Sequence, residues 1–336
     1  MQFEYTSPQT EIEAAFGGFY CINAFGSVSV GDDERFIDFL RKAEVPPRTR
    51  VYIDSSGGDV ETAINMGRTI RDSWFSTHIG RYVLDPDSEG DLIKARKKIS
   101  GQCMSAATLL FIGGRLRHLC PEDRFGVHQF SFRDPTPAHI GQSQILSAKI
   151  ARYIVDMGIN PDFLSISSAI DADKIELVPQ EDLRRLLFVT GGETLVDWSL
   201  QSVDNTLYVR GERDNFYGHH KMLFGFVKPT GFFVYAVIET QGREWELTNF
   251  PLVELVVGMN EKIVIDISYR CNRTINGIYC NIDVFLSKEE AQEIVRSDGF
   301  GIRVRGGPDA GMFLGVGPMS TKGGTQILAA LFDILT

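Results

Sequence analysis

The sequence has no apolar run approaching the roughly 18–20 residues of a membrane span. Its longest candidates, such as "GFFVYAVI", are of strand length, so no membrane partner is expected. Basic residues are scarce: 34 lysines and arginines stand against 44 acidic residues, a formal net charge of −10. Without a basic stripe to neutralise phosphates, nucleic acid is excluded as the main partner. The five cysteines are irregularly spaced and form neither a disulfide framework nor a paired-Cys zinc pattern. A reducing, cytoplasmic setting is the simpler expectation. The opening "MQFEYTSPQTEIEAAF" has no basic region followed by an apolar one, so it does not read as a signal peptide. The glycine-rich "RGGPDAGMFLGVGPMSTKGG" lacks the G-x-x-x-x-G-K-[ST] spacing of a phosphate loop and reads as hairpin turns. No internal repeat stands out.

What is present is an ordinary apolar fraction of 43% in 336 residues, enough for about two domains. The first part alternates strands and helices. "GGFYCINAFGSVSV" reads as strand and turn, and "DDERFIDFLRKA" as a helix with Phe36, Phe39 and Leu40 on one face. "RVYIDSSGGD" reads as a short strand ending in a glycine pair. "VETAINMGRTIRDSW" keeps the 3.6-residue period, and "AHIGQSQILSAKIARYIVDMG" reads as a long helix. Such alternation implies βαβ units and a mainly parallel sheet. Beyond about Thr190 the pattern becomes consecutive strands, including "NTLYVRG", "HKMLFGFV", "GFFVYAVIET", "REWELTNF" and "GIYCNIDVFL". Two helices close the chain. The expected division is residues 1–189 and a smaller β-rich domain, 190–336.

Several residues have the chemistry of a site. In "GQCMSAATLLFIGG" a lone hydroxyl, Ser105, precedes a buried apolar run. Serine is a common helix N-cap; a nucleophile there would sit beside the free N–H of Ala106, a donor for the oxyanion it creates. Gly57 and Gly58 stand where a strand hands over to a helix, which suits a tight turn or an anion site. His128 ends the short apolar strand in "CPEDRFGVHQF" and is a candidate general base. Asp171, in "SSAIDADKIELVP", could orient such a base. The order Ser, His, Asp, with the glycine four residues before the serine, excludes the G-x-S-x-G elbow of the α/β-hydrolases.

These residues resemble the proteolytic subunit ClpP and the ClpP/crotonase superfamily, over about Tyr20 to Leu187. "YIDSSGGDV" is similar to the family's glycine-pair segment and "GQCMSAA" to its nucleophile segment. "GGRLRHLCPEDRFGVHQ" is similar to the stretch ending in its catalytic His-Gln, and "IDADKIELVPQEDL" to the segment carrying its aspartate. The resemblance implies an α/β fold of repeated ββα units. It also implies a serine peptidase with Ser105 as nucleophile, His128 as base, Asp171 orienting the imidazole, and the N–H groups of Gly58 and Ala106 as oxyanion hole. No metal or cofactor is implied. The implied partners are a peptide or unfolded protein substrate and further copies of the chain; an ATPase unfoldase is a candidate partner. A crotonase-like acyl-CoA enzyme and a non-catalytic oligomeric binding module are the other classes this fold admits.

The sequence departs from the family in three places, one of them the N-terminus, which has no obvious match to the family's axial loops. The charged stretch "RYVLDPDSEGDLIKARKKIS" joins directly to the nucleophile segment, and its part "DLIKARKKI" has only Leu92, Ile93 and Ile99 as apolar anchors. It is expected to form a mobile flap at the mouth of the Ser105 site. The β-rich C-terminal part is no part of ClpP. Three further features carry little weight. His219-His220 have no carboxylate or cysteine at ligand spacing beside them. Cys103 is expected to pack, not react. Cys271 and Cys280 could meet across a hairpin, but a cytosolic chain would keep them reduced.

Overall fold

The computed structural model describes every residue except 17–18, 89, 132–135, 138, 205 and 336. Two compact units make up the chain, Met1–Gly192 and Glu193–Thr336. Both are built on more than one sheet, with mixed α/β content in the first.

In the first unit the chain runs through β1 (Gln2–Thr6), α1 (Glu11–Phe16), β2 (Cys21–Phe25), α2 (Asp32–Lys42), β3 (Arg50–Asp54), α3 (Val60–Asp72), β4 (Ser76–Ile79), β5 (Arg81–Leu84), β6 (Arg96–Ile99) and β7 (Gln102–Met104). It continues with α4 (Ala107–Ile112), β8 (Arg117–His118), β9 (Arg124–Val127), α5 (His139–Asp156), α6 (Phe163–Ser168), β10 (Glu176–Leu177) and α7 (Gln180–Arg185). Among the described residues, the larger sheet has the order β1-β2-β3-β4-β8, parallel from β2 to β8 with β1 antiparallel at one edge. A second sheet has the order β10-β9-β7, with β7 and β9 parallel. Strands flanked by helices on a parallel sheet are buried on both faces, which is why β3 presents Val51, Tyr52 and Ile53 all buried. Around them pack Phe36 of α2, Met66 and Ile70 of α3, Leu110 and Phe111 of α4 and Tyr153 of α5.

The charged 81–100 segment carries a β-hairpin. Its ends are β5 and β6, paired antiparallel from Arg81↔Ile99 to Leu84↔Arg96. Glu89 lies outside the described residues. The hairpin is anchored by polar groups where apolar ones are few. The Tyr82 N–H donates to Asn23 Oδ1 at 2.8 Å, and Asn23 Nδ2 donates back to the Tyr82 carbonyl at 3.0 Å. Arg96 is bound through both terminal nitrogens to the buried Glu13 at 2.8 Å, and Lys98 reaches Asp123 at 2.7 Å. Buried charge demands a partner of opposite sign, and Glu13 supplies the one that a count of apolar residues misses.

The second unit comprises β11 (Asp197–Val203), β12 (Thr206–Asn215), β13 (Gly218–Val227), β14 (Gly231–Glu239), α8 (Glu244–Asn249), β15 (Leu252–Val257), β16 (Ile263–Asp266), β17 (Asn272–Asn276), β18 (Tyr279–Leu286), α9 (Lys288–Arg296), β19 (Gly299–Arg305), β20 (Leu314–Ser320) and α10 (Thr325–Leu335). Two antiparallel sheets, β11-β12-β13-β14-β18-β17 and β16-β15-β19-β20, enclose a core of Val209, Phe224, Val234, Ile282, Leu255, Phe300 and Ile302. "REWELTNF", expected as a strand, is the helix α8. Its Trp245 and Leu247 alternate as in a strand, but Trp245 is 70% exposed and Leu247 is buried. An Arg243–Glu246 pair and the Thr248 hydroxyl on the Glu244 carbonyl satisfy helical spacing. Cys271 and Cys280 are free, and the partner of Cys280 across β17 is Ile275.

Candidate active site

The site forms where parallel strands end together. β7 and β9 pair in register, Gln102↔Arg124, Cys103↔Phe125 and Met104↔Gly126. Ser105 and His128 therefore leave adjacent strand ends on the same side. The C-terminal edge of a parallel sheet is where α/β proteins gather functional groups. β3 joins the arrangement through Ser55: its N–H donates to the Gln102 carbonyl at 2.7 Å and its carbonyl accepts from Met104 N–H at 3.0 Å.

Ser105 has φ +55°, a left-handed backbone that a residue with a Cβ adopts at a cost of roughly 1–3 kcal/mol. Its own N–H donates to the Gly126 carbonyl at 2.9 Å, and its carbonyl accepts from the Thr108 N–H at 3.0 Å and the Thr108 hydroxyl at 2.6 Å. These bonds on both sides hold the strained turn. The side chain does not cap α4: the N-cap position is Ala106, and no side-chain cap bond is present. Instead Ser105 Oγ lies 2.7 Å from His128 Nε2.

The tautomer of His128 follows from its other nitrogen. Nδ1 is 2.8 Å from the main-chain carbonyl of Ala172. A carbonyl can only accept, so Nδ1 carries the hydrogen. In the neutral ring Nε2 is then bare, and Ser105 Oγ–H donates to it. This is the arrangement needed to draw a proton from a nucleophile.

The glycine pair closes on the serine. Gly57 has φ +99°, and a Cβ there would stand 2.8 Å from the Met104 carbonyl oxygen, 2.8 Å from Ser105 Cβ and 3.1 Å from the Ala106 nitrogen. Gly58 has φ +144°, and a Cβ would meet the Val28 carbonyl oxygen at 2.0 Å. Only glycine satisfies both the dihedrals and the space. Val28 fixes this turn, donating to the Gly57 carbonyl at 2.8 Å and accepting from Asp59 N–H at 3.0 Å. Asp59 then caps α3, its carboxylate accepting from Thr62 N–H at 2.9 Å. Among the described residues, neither the Gly58 nor the Ala106 N–H has a hydrogen-bond partner.

Asp171, the residue expected to orient the imidazole, is not the group that meets Nδ1. Its carboxylate is 64% exposed and accepts from Lys174 Nζ at 2.7 Å, closing a turn on itself. The Ala172 carbonyl left no trace in the sequence, because a main-chain acceptor has no side-chain signature. Ser55 and Gly126 likewise act through main-chain groups, and Thr108 lies within the apolar run. Cys103 is fully buried, and burial pushes its thiol well above the ordinary value, with the Asp54 charge adding to this. It packs and does not compete with Ser105. A cleft of about 430 Å³ runs beside Gly58, lined by Val60, Phe130, Ile145 and Leu146 together with Gln142 and Lys149.

No group of three or more histidine, cysteine or acidic side chains capable of holding a metal occurs among the described residues. The structure does bring carboxylates to His219: Asp214 Oδ1 is 3.2 Å from Nδ1 and Glu212 Oε2 is 3.1 Å from Nε2. No described helix is long and apolar enough to cross a membrane.

No protein-family model and no curated protein matches the chain. Among solved structures, a mutant of ClpP1 from Listeria monocytogenes is similar over 50% of this chain and 87% of that chain. The identity is 14% and the TM-score 0.37.

Proposed function

We propose that the first unit is a serine hydrolase that cleaves peptide bonds through an acyl-enzyme, with Ser105 as nucleophile and His128 as general base. The observation that carries this reading is the 2.7 Å contact between Ser105 Oγ and a His128 Nε2 left bare by the bond at Nδ1. Ser105 Oγ attacks the substrate carbonyl carbon while its proton passes to Nε2. The Nε2–H then protonates the departing amine as the C–N bond breaks. Water repeats the sequence on the acyl-serine and releases the acid. The N–H groups of Gly58 and Ala106 are the proposed oxyanion donors: Ala106 follows Ser105, Gly58 follows the glycine that packs on Ser105, and neither N–H has a partner among the described residues.

The substrate reading is a peptide or an unfolded protein. The cleft beside Gly58 mixes apolar Val60, Phe130 and Leu146 with charged Asp59, Glu61 and Lys149, which suits a peptide chain with no single side-chain class selected. A ClpP/crotonase-like arrangement of repeated ββα units belongs to the same proposal, and the pairs β4 and β7 before α4 and β8 and β9 before α5, each with one strand in either sheet, support it. Exposed Ile140 and Ile145 on α5 support assembly of several copies.

Labelling with a fluorophosphonate tests the chemistry. The label should attach to Ser105 of the wild-type chain and be lost in Ser105→Ala. Absence of labelling on folded wild-type protein would favour a binding module on the same fold.

A further inference from the structure

We propose that the main-chain carbonyl of Ala172 is the group that orients the His128 imidazole, and that Asp171 serves only to staple the turn presenting it. This rests on the Ser105–His128 reading above and assigns a positioning role within it.

The turn is held at both flanks by the residues on either side of His128. Gln129 N–H donates to the Ile170 carbonyl at 3.0 Å, just before the turn. Val127 pairs with Glu176, just after it. Between them, Lys174 N–H returns to the Asp171 carbonyl at 3.0 Å, and Lys174 Nζ closes the same turn on the Asp171 carboxylate. With the chain fixed on both sides, the Ala172 carbonyl is directed outward onto Nδ1 at 2.8 Å. The carboxylate next to it is turned to solvent, 64% exposed.

The chemistry separates this arrangement from a carboxylate-oriented histidine. Both fix the hydrogen on Nδ1, so both leave Nε2 free to take the Ser105 proton. A carboxylate also faces the imidazolium formed in the transition state with a full negative charge, whereas a carbonyl offers only a dipole. The Asp171 side chain therefore contributes through the shape of the turn and not through its charge.

The test uses the full chain. Asp171→Asn keeps the turn's length and removes its charge; it should lower kcat by less than about tenfold, with KM unchanged. Loss of a carboxylate that held the tautomer costs about 10⁴-fold, and a loss of that size in a folded Asp171→Asn protein would overturn the proposal. A second variant replaces the 172–173 amide by an ester, which weakens the Ala172 carbonyl as an acceptor and alters no side chain. It should lower kcat about tenfold or more with KM unchanged. The low-field proton resonance of His128 Nδ1–H should move upfield in the ester variant and stay in place in Asp171→Asn. A resonance that shifts in Asp171→Asn but not in the ester would also overturn the assignment. The resonance needs no turnover, so it decides the orientation even if Ser105→Ala shows the hydrolase reading to be wrong.

Discussion

Met104 and Gly126 are in-register partners on parallel strands, and the Ser105 N–H closes on the Gly126 carbonyl at 2.9 Å one step beyond that pair. Register thus sets the distance between Ser105 and His128. A slip of one residue on either strand would turn the imidazole to the opposite face.

Replacing Ser105 separates its chemistry from its strain. Ser105→Ala should lower turnover of a peptide ester by about 10³-fold or more, since removing the nucleophile disables a coupled unit. The positive φ remains, so its thermal midpoint should stay near that of wild type. Ser105→Gly should be equally inactive but more stable than the alanine variant by roughly 1 kcal/mol, because glycine adopts this backbone without a Cβ clash. Chemical denaturation of the two variants measures the difference; equal midpoints would mean the turn holds no strain.

The two glycines should fail against different neighbours. Gly57→Ala puts a methyl 2.8 Å from both the Met104 carbonyl oxygen and Ser105 Cβ, so the nucleophile turn itself must shift and kcat should fall together with stability. Gly58→Ala drives a methyl into the Val28 carbonyl, so the backbone must shift. Overpacking of this kind costs about 1–3 kcal/mol, visible as a lower denaturation midpoint alongside the lost activity. A Gly57→Ala protein with full activity would remove the Gly58 and Ala106 amides from the proposed oxyanion hole.

Glu13 makes the first unit acid-sensitive. Bonds from Arg96 hold its carboxyl down to about 2, with the N–H groups of Gln9 and Lys94 helping, against a burial effect in the other direction. The folded value is depressed, so the stabilisation is complete above the ordinary value of 4.5. It is lost as pH falls from there toward about 2, because the unfolded chain takes the proton first. Urea midpoints measured from pH 7 down to 3 should fall for wild type and fall less for Glu13→Gln. Parallel curves would exclude Glu13 as the source. Arg96→Met should also loosen the 81–100 hairpin, raising amide exchange along β5.

His219 should act with the opposite sign in the second unit. Burial alone would lower its value, but the bonds from Asp214 and Glu212 outweigh burial and raise it above the ordinary 6.5. A raised folded value means that the stabilisation is fully present below pH 6.5 and is lost as pH rises through the folded value. Hydrogen exchange of the β12–β13 amides should therefore quicken, relative to the rest of the unit, as pH is raised from 6 to 9. His219→Gln should abolish that difference, and an unchanged difference in the variant would point to another group.

The sequence by itself determined the local elements that carry the chemistry. The 3.6-residue period of "VETAINMGRTIRDSW" gives α3, the apolar run after Ser105 gives α4, and the glycine pair marks a turn with positive φ at both positions. Ser105 was legible as a lone hydroxyl before the apolar run of α4, and His128 as the end of a short apolar strand, each a pattern spanning only a few residues. Tertiary structure decided what those elements meet. The alternation in "REWELTNF" satisfied a strand as well as a single helical turn, and only packing of Leu247 into the second core chose the helix. Glu13 and Arg96, or Glu212 and His219, are brought together by hairpin and strand register that spacing along the chain does not encode. The same holds for the partner of His128. The sequence offered an aspartate, but the fold presents the carbonyl one residue on, because the turn is pinned on both flanks by main-chain bonds that no side-chain pattern records.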